Sequence, residues 1–211
     1  MKSTSFYLPM FISMTILLHV SCDDEDDLER SVAVNFDIGE ISASGGMVFH
    51  DKGEYIDGWR YIEVAPEDII GDIEWGCFNT PITEARNLGI GMGKSNTEAI
   101  VVFHDALDDY YTNPSICSAE SNGTVAAKMV SELTVASYND WHLPSEDETK
   151  LMYENLHLNG LGNFSEDHLY WSSTEHDDNT ATTMDFANGD QGWLCKQCSF
   201  GITRIRAIRY F

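Results

Sequence analysis

The chain has 211 residues, 35 of them Asp or Glu against 12 Lys or Arg, for a formal net charge of -23 at pH 7. So negative a field excludes nucleic acid as a partner of the bare protein and leaves cations, basic proteins and neutral glycans. The length suits a single domain with a sizeable core.

The first residues set the compartment. Lys2 precedes an apolar run from Phe6 to Val20 that ends at Ser21-Cys22. The run is too short to span a bilayer as a mature helix. A basic start, an apolar middle and a small residue before the cut describe a secretory signal over residues 1–21. The position of Cys22 resembles the lipobox of bacterial lipoproteins, with one departure: His19 stands where an aliphatic residue is usual, and Leu18 is one place further back. The resemblance implies lipidation of Cys22 and a membrane contact made through acyl chains, each buried methylene adding roughly 0.8 kcal/mol. DDEDDLER follows, and residues 22–44 read as a lipidated cysteine and a solvated acidic linker. Acids in that place also resemble export signals to the outer face of an outer membrane, so the expected location is the outer membrane with surface display.

Four cysteines remain, Cys77, Cys117, Cys195 and Cys198. An even count in an oxidising compartment favours bridges, and a Cys77 to Cys117 bond would close a long loop. Cys195-Lys196-Gln197-Cys198 keeps three readings open: a local bridge, a redox pair or part of a metal site. Zinc would normally need a second pair of ligands, and no second C-x-x-C occurs.

From residue 45 the elements follow in order. GGMVFHDKGEYIDGWRYIEVA, residues 45–65, reads as two strands joined by a Gly-containing loop. Residues 67–93 are rich in Gly, Asn, Pro and Asp without periodicity and read as long loops. Ser95-Asn96-Thr97-Glu98 has the form of a capping box opening a helix into AIVVFHDAL. Residues 123–133 hold Ala126, Met129, Val130 and Leu133 at helical spacing. Ser145-Glu146-Asp147-Glu148 is a second capping box, with acids where the helix dipole favours them, and Gly160 or Gly162 closes that helix. Strand-like runs follow at 169–173 and 182–187. An Asn188-Gly189 turn leads to QGWLCK, and the chain ends in ITRIRAIRYF. The expected class is α+β.

Several near-motifs fail. GIGMGKS, residues 89–95, has Leu88 where a phosphate loop needs its first glycine, and Lys94 where a dinucleotide fingerprint needs its third. No G-x-S-x-G elbow occurs. EHDDNT (175–180) and DFANGD (185–190) cluster oxygen donors of the kind calcium takes, on what read as adjacent loops, although an EF-hand fails at Lys196. The five tryptophans, at 59, 75, 141, 171 and 193, are platforms for sugars only if exposed. From loop position the expected ligand-facing residues are Glu175, Asp177, Asp178, Asp190 and Trp193; no catalytic residue is assigned, and the metal, if any, is unknown.

The phrases GGMVF at 45, WGC at 75, GMGKSNTEAIV at 91, WHLPSEDETKLMYENL at 141, YWSSTE at 170, DFANGDQG at 185 and RIRAIRYF at 204 together resemble the Lcl C-terminal domain family. This bacterial extracytoplasmic module would span residues 45–211. The resemblance implies a C-type-lectin-like fold, a twisted antiparallel sheet with two or three helices and long loops, and a role in binding glycans. Two features depart from the family's adhesins: there are no collagen-like repeats, and the charge disfavours sulfated glycans. The expected function is a non-catalytic envelope lipoprotein binding extracellular glycan or protein ligands. The alternatives are a thiol- or metal-dependent enzyme centred on Cys195 and Cys198, and a structural subunit of an envelope assembly.

Overall fold

The computed structural model describes residues 34–211; the signal, Cys22 and the acid run lie outside the described residues. Residues Asn35–Phe211 form one compact unit. The expected domain start at Gly45 falls inside that unit. Phe36 packs edge-on against Tyr61 and Phe211, Gly39 N donates to Val48 O at 2.8 Å, and the Ser42 and Ser44 hydroxyls both donate to the buried Glu63 carboxylate.

The opening hairpin is β1 (Met47–Ile56) and β2 (Trp59–Val64), paired antiparallel with Ile56 opposite Trp59. The turn is Asp57-Gly58, at φ 53° and 86°. Two consecutive positive φ values make the mirror-image turn whose twist matches the strands, which is why Asp-Gly stands there. A short β3 (Ile69–Ile70) interrupts the loops of residues 67–92.

Helix α1 (Gly93–Asp105) begins two residues before the expected capping serine, with Met92 at its N-cap and no side-chain cap. Ser95 Oγ instead donates to Met92 O at 3.0 Å. Tertiary packing sets this start: a Cβ at Gly93 would overlap the Leu143 carbonyl and the Glu148 carboxylate, so the glycine lets the helix end abut both. Thr97 Oγ1 accepts from Leu143 N at 3.0 Å and donates to Gly93 O at 2.8 Å. Helix α2 (Ala126–Ser131) is shorter than its periodic stretch and buries Ala126, Ala127 and Val130.

Helix α3 (Glu146–Asn155) has the expected capping box, Ser145 and Glu148 each binding the other's backbone. Glu148 does more than punctuate the helix. Its wholly buried carboxylate also accepts from Gly91 N at 2.8 Å and Tyr210 Oη at 2.6 Å, tying the glycine loop and the C-terminal strand to α3. Burial raises its pKa, and these hydrogen bonds oppose the rise.

The remaining strands are β4 (Leu169–Glu175), β5 (Thr180–Asp185), β6 (Gln191–Cys195), β7 (Thr203–Ile205) and β8 (Ile208–Tyr210). They complete two sheets, ordered β1-β2-β8 and β3-β7-β4-β5-β6, antiparallel except for the parallel β4–β7 pair. The chain crosses from one sheet to the other at Arg206-Ala207, which explains why ITRIRAIRYF does not alternate cleanly. Arg206 is buried at that crossing, held by Asp68 Oδ1 at 2.6 Å and Gly162 O at 2.6 Å. The fold is thus α+β with open, mixed sheets.

Two apolar clusters fill it. One gathers Trp75, Trp141, Trp171, Ile100 and Tyr110; the other gathers Phe49, Ile62, Met152, Tyr170 and Phe186. Trp75 donates to Ser172 O at 2.8 Å and Trp171 to Ile73 O at 2.9 Å, so each buried indole satisfies its N–H on the other's segment.

Candidate ligand-binding surfaces

The turn between β4 and β5 is braced from inside. Glu175 closes β4 with its side chain wholly buried, and its carboxylate accepts from Ile82 N at 2.7 Å and Arg86 Nε at 2.7 Å and pairs with Lys196. The Lys196 side chain is equally buried; it also donates to Thr80 O at 2.7 Å and lies 5.1 Å from the Trp75 ring centre. Burial lowers the lysine's pKa, and Glu175 works against that shift. Arg86 reaches on to Asp178 Oδ1 at 2.9 Å. Asp177 Oδ1 accepts from Thr180 Oγ1 at 2.8 Å, Asn179 N at 2.8 Å and Thr180 N at 2.7 Å, and these bonds hold its carboxyl below the usual range.

The five expected ligand-facing residues therefore separate. Glu175 faces inward and serves as a structural anion. Asp177 and Asp178 reach the surface while holding the turn. Trp193, on β6 opposite Thr182, is 62% exposed, and its ring lies parallel to His176 at 4.6 Å between centres. Asp190 is exposed in the next turn, where its carbonyl accepts from Asp185 N at 2.9 Å.

The two acid-rich loops are not adjacent. They join β4 to β5 and β5 to β6, so they sit at opposite ends of the six-residue β5, about 20 Å apart at strand rise. Consecutive turns of an antiparallel meander alternate ends, which nearness in sequence conceals. Among the described residues no group of three or more His, Cys, Asp or Glu side chains is arranged to hold a metal ion.

Both cysteine pairs are bonded, Cys77 to Cys117 and Cys195 to Cys198. In this state neither Cys195 nor Cys198 is a thiolate, the species a nucleophile or metal ligand requires. Trp75 N donates to Lys196 O at 2.8 Å, so the bridge closes a turn pinned to the core.

A second surface lies between α1, the β1–β2 turn and residues 139–142. It consists of two adjoining clefts of about 310 and 480 Å³ that share Lys94, Glu98 and Asp140. Val101, Val102 and Trp141 wall the smaller; Asp57, Trp59 and Tyr210 line the larger. Trp59 is already stacked on Tyr210 at 5.0 Å and carries Lys52 Nζ 3.7 Å from its ring centre. His142, 2% exposed, also lines the smaller cleft, and burial pushes its pKa down to about 3. Its Nδ1 lies 3.3 Å from Asp140 O, while its Nε2 has no partner among the described residues.

Sequence reasoning missed this surface because its residues come from four distant segments, 57–59, 91–102, 131–142 and Tyr210. The one local signal was misassigned: Glu98 reads as the second half of a capping box, and is left free because α1 begins at Gly93. No protein-family model matches the chain, and no curated protein matches it.

Proposed function

We propose that residues 35–211 are a non-catalytic recognition module, displayed from the cell envelope through a lipidated Cys22, that binds glycan or protein ligands. The observation that carries this reading is Trp193. This large aromatic is 62% exposed, and its ring lies parallel to that of His176 at 4.6 Å between centres. The turn bearing His176 is braced by the buried Lys196–Glu175–Arg86 network. A rigid aromatic plane offers contact area at little loss of conformational entropy, and suits both the C–H face of a sugar and an apolar peptide side chain.

The lipobox-like start and the resemblance to the Lcl C-terminal domain family support the same reading. So does the phrase DFANGDQG, which leads directly into the strand that presents Trp193. The net charge of -23 favours neutral or basic ligands over sulfated ones. The test is a glycan array and a pull-down screen with the full chain, with and without calcium, repeated with Trp193→Ala. The expected result is at least one ligand whose binding falls tenfold or more in the variant. Absence of any ligand, or unchanged binding by the variant, rejects the proposal.

A further inference from the structure

We propose that the free edge of β6 takes up an extended basic peptide as an added strand of the larger sheet, with Trp193 at the centre of the pairing. The inference rests on the Trp193 reading above and names its ligand class. β6 is the last strand in the order β3-β7-β4-β5-β6. Its register on β5 is unbroken over Gln191–Cys195, with Trp193 opposite Thr182. Asp185 N donates to Asp190 O and Lys196 N donates to Asn179 O, each at 2.9 Å, so the even-numbered residues of β6 turn their main-chain groups to β5. By antiparallel alternation the N–H and C=O of Gln191 and Trp193 and the N–H of Cys195 point away from the sheet. Among the described residues none of these groups has a partner.

The other sheet edges are protected in the ways native proteins use against stray pairing. β3 is two residues long. β8 is three residues long, and His142 exchanges both main-chain bonds with Ile208 there, each at 2.9 Å. β1 shifts register twice and carries Asp51, Lys52 and Glu54. β6 has none of these devices: it runs five residues without a bulge or a charged side chain. Such an edge is a template for strand addition, in which main-chain bonds give affinity and alternate side chains give selectivity.

Charge selects the occupant. Asp190 precedes the strand and Asp177 lies in the turn beyond its far end, and neither carboxylate is in an ion pair among the described residues. Lys196 and Arg86 are held by Glu175, and Arg86 also by Asp178. The two open acids lie about 20 Å apart at strand rise, the reach of an extended heptapeptide with a basic residue at each end. Between them Trp193, 62% exposed, offers a cross-strand pair to an aromatic or β-branched residue at the peptide's centre. An acidic strand would meet both carboxylates and a net charge of -23. A glycan lacks the row of amides that fills the edge.

The test is a fluorescence-anisotropy titration of the full chain with labelled, end-capped heptapeptides KTVXVTK, where X is Tyr, Phe, Ile or Val. Saturable binding by at least one is expected, with its acidic counterpart ETVXVTE at least tenfold weaker. N-methylation at alternate residues should weaken that peptide tenfold or more in one pattern and less than threefold in the other, because only every second amide faces β6. Gln191→Pro removes an edge N–H that β5 does not use, and should weaken the peptide tenfold or more. A sugar held on the Trp193 plane should be indifferent to Gln191→Pro, which separates failure of the strand from failure of the plane. A ligand lost in Trp193→Ala while no peptide binds leaves the plane standing and overturns the strand. Equal binding of the acidic set, or equal response to the two methylation patterns, also overturns it. Sedimentation showing dimers that Gln191→Pro dissociates would assign the edge to a second copy of this chain, against the proposal.

Discussion

Lys196 and Glu175 meet as an ion pair with both side chains wholly buried, joining β4 to the bridged turn after β6. A buried pair adds little to net stability, because desolvation of the two ions offsets most of their attraction. Removing one partner is different, since it strands a charge in the core. Lys196→Met or Glu175→Gln alone should therefore cost about 3–5 kcal/mol. The double replacement should cost clearly less than the two single losses added together. Urea denaturation of the four proteins gives the coupling directly, and additive losses would show that the pair does not act as a unit.

The two disulfides should differ in proportion to the chain they constrain. Cys77–Cys117 spans 40 residues and Cys195–Cys198 spans 3. In the chain-entropy account these separations correspond to about 4 and about 1.6 kcal/mol. Paired Cys→Ser variants, compared by thermal unfolding, should rank in that order. A larger loss from Cys195→Ser/Cys198→Ser would mean that the short bridge supports the Lys196 turn in a way loop closure does not describe.

Gly93 sets helix propensity against packing. Gly→Ala inside an exposed helix usually stabilises by about 1 kcal/mol. Here the new methyl would meet a backbone carbonyl and the fully hydrogen-bonded Glu148, neither of which can move cheaply. Packing should win, with Gly93→Ala destabilising by about 1–3 kcal/mol in denaturant unfolding. A stabilised variant would show that the end of α1 is free to shift.

His104 makes stability depend on pH. Its ring is wholly buried, Nδ1 lies 2.7 Å from Ile100 O, and Nε2 accepts from Cys77 N at 2.9 Å, so the neutral Nδ1–H form satisfies both. Burial pushes its pKa down to about 4, against an ordinary value of 6.5. The unfolded chain therefore takes up this proton first. The contribution is fully present above about pH 6.5 and is lost as pH falls toward 4, on the order of 3 kcal/mol over that window. NMR titration of the imidazole should show it neutral at pH 5.5. A midpoint near 6.5 would contradict the burial argument.

What could be read from sequence was local. The Asn188-Gly189 turn and the Ser145–Glu148 capping box each depend on residues within a few positions of one another. The misread features depend on partners far along the chain. α1 starts at Gly93 because residues 143–148 pack there, so Ser95 loses its cap and Glu98 is freed. ITRIRAIRYF divides between two sheets because Asp68 and Gly162 hold Arg206 at the crossing. The acid loops separate because β5 lies between them. Of the residues expected to meet ligand, Trp193 stands open on the surface, whereas Glu175 is drawn inside by Arg86 and Lys196, partners nothing in its neighbourhood announces.

The central claim is that a fixed aromatic plane on β6 does the recognising, and the direct measurement is ligand affinity of Trp193→Ala beside its unfolding free energy. Loss of binding by tenfold or more, with stability within about 0.5 kcal/mol of the parent chain, is the predicted result. Full binding by a variant that is equally stable would contradict it.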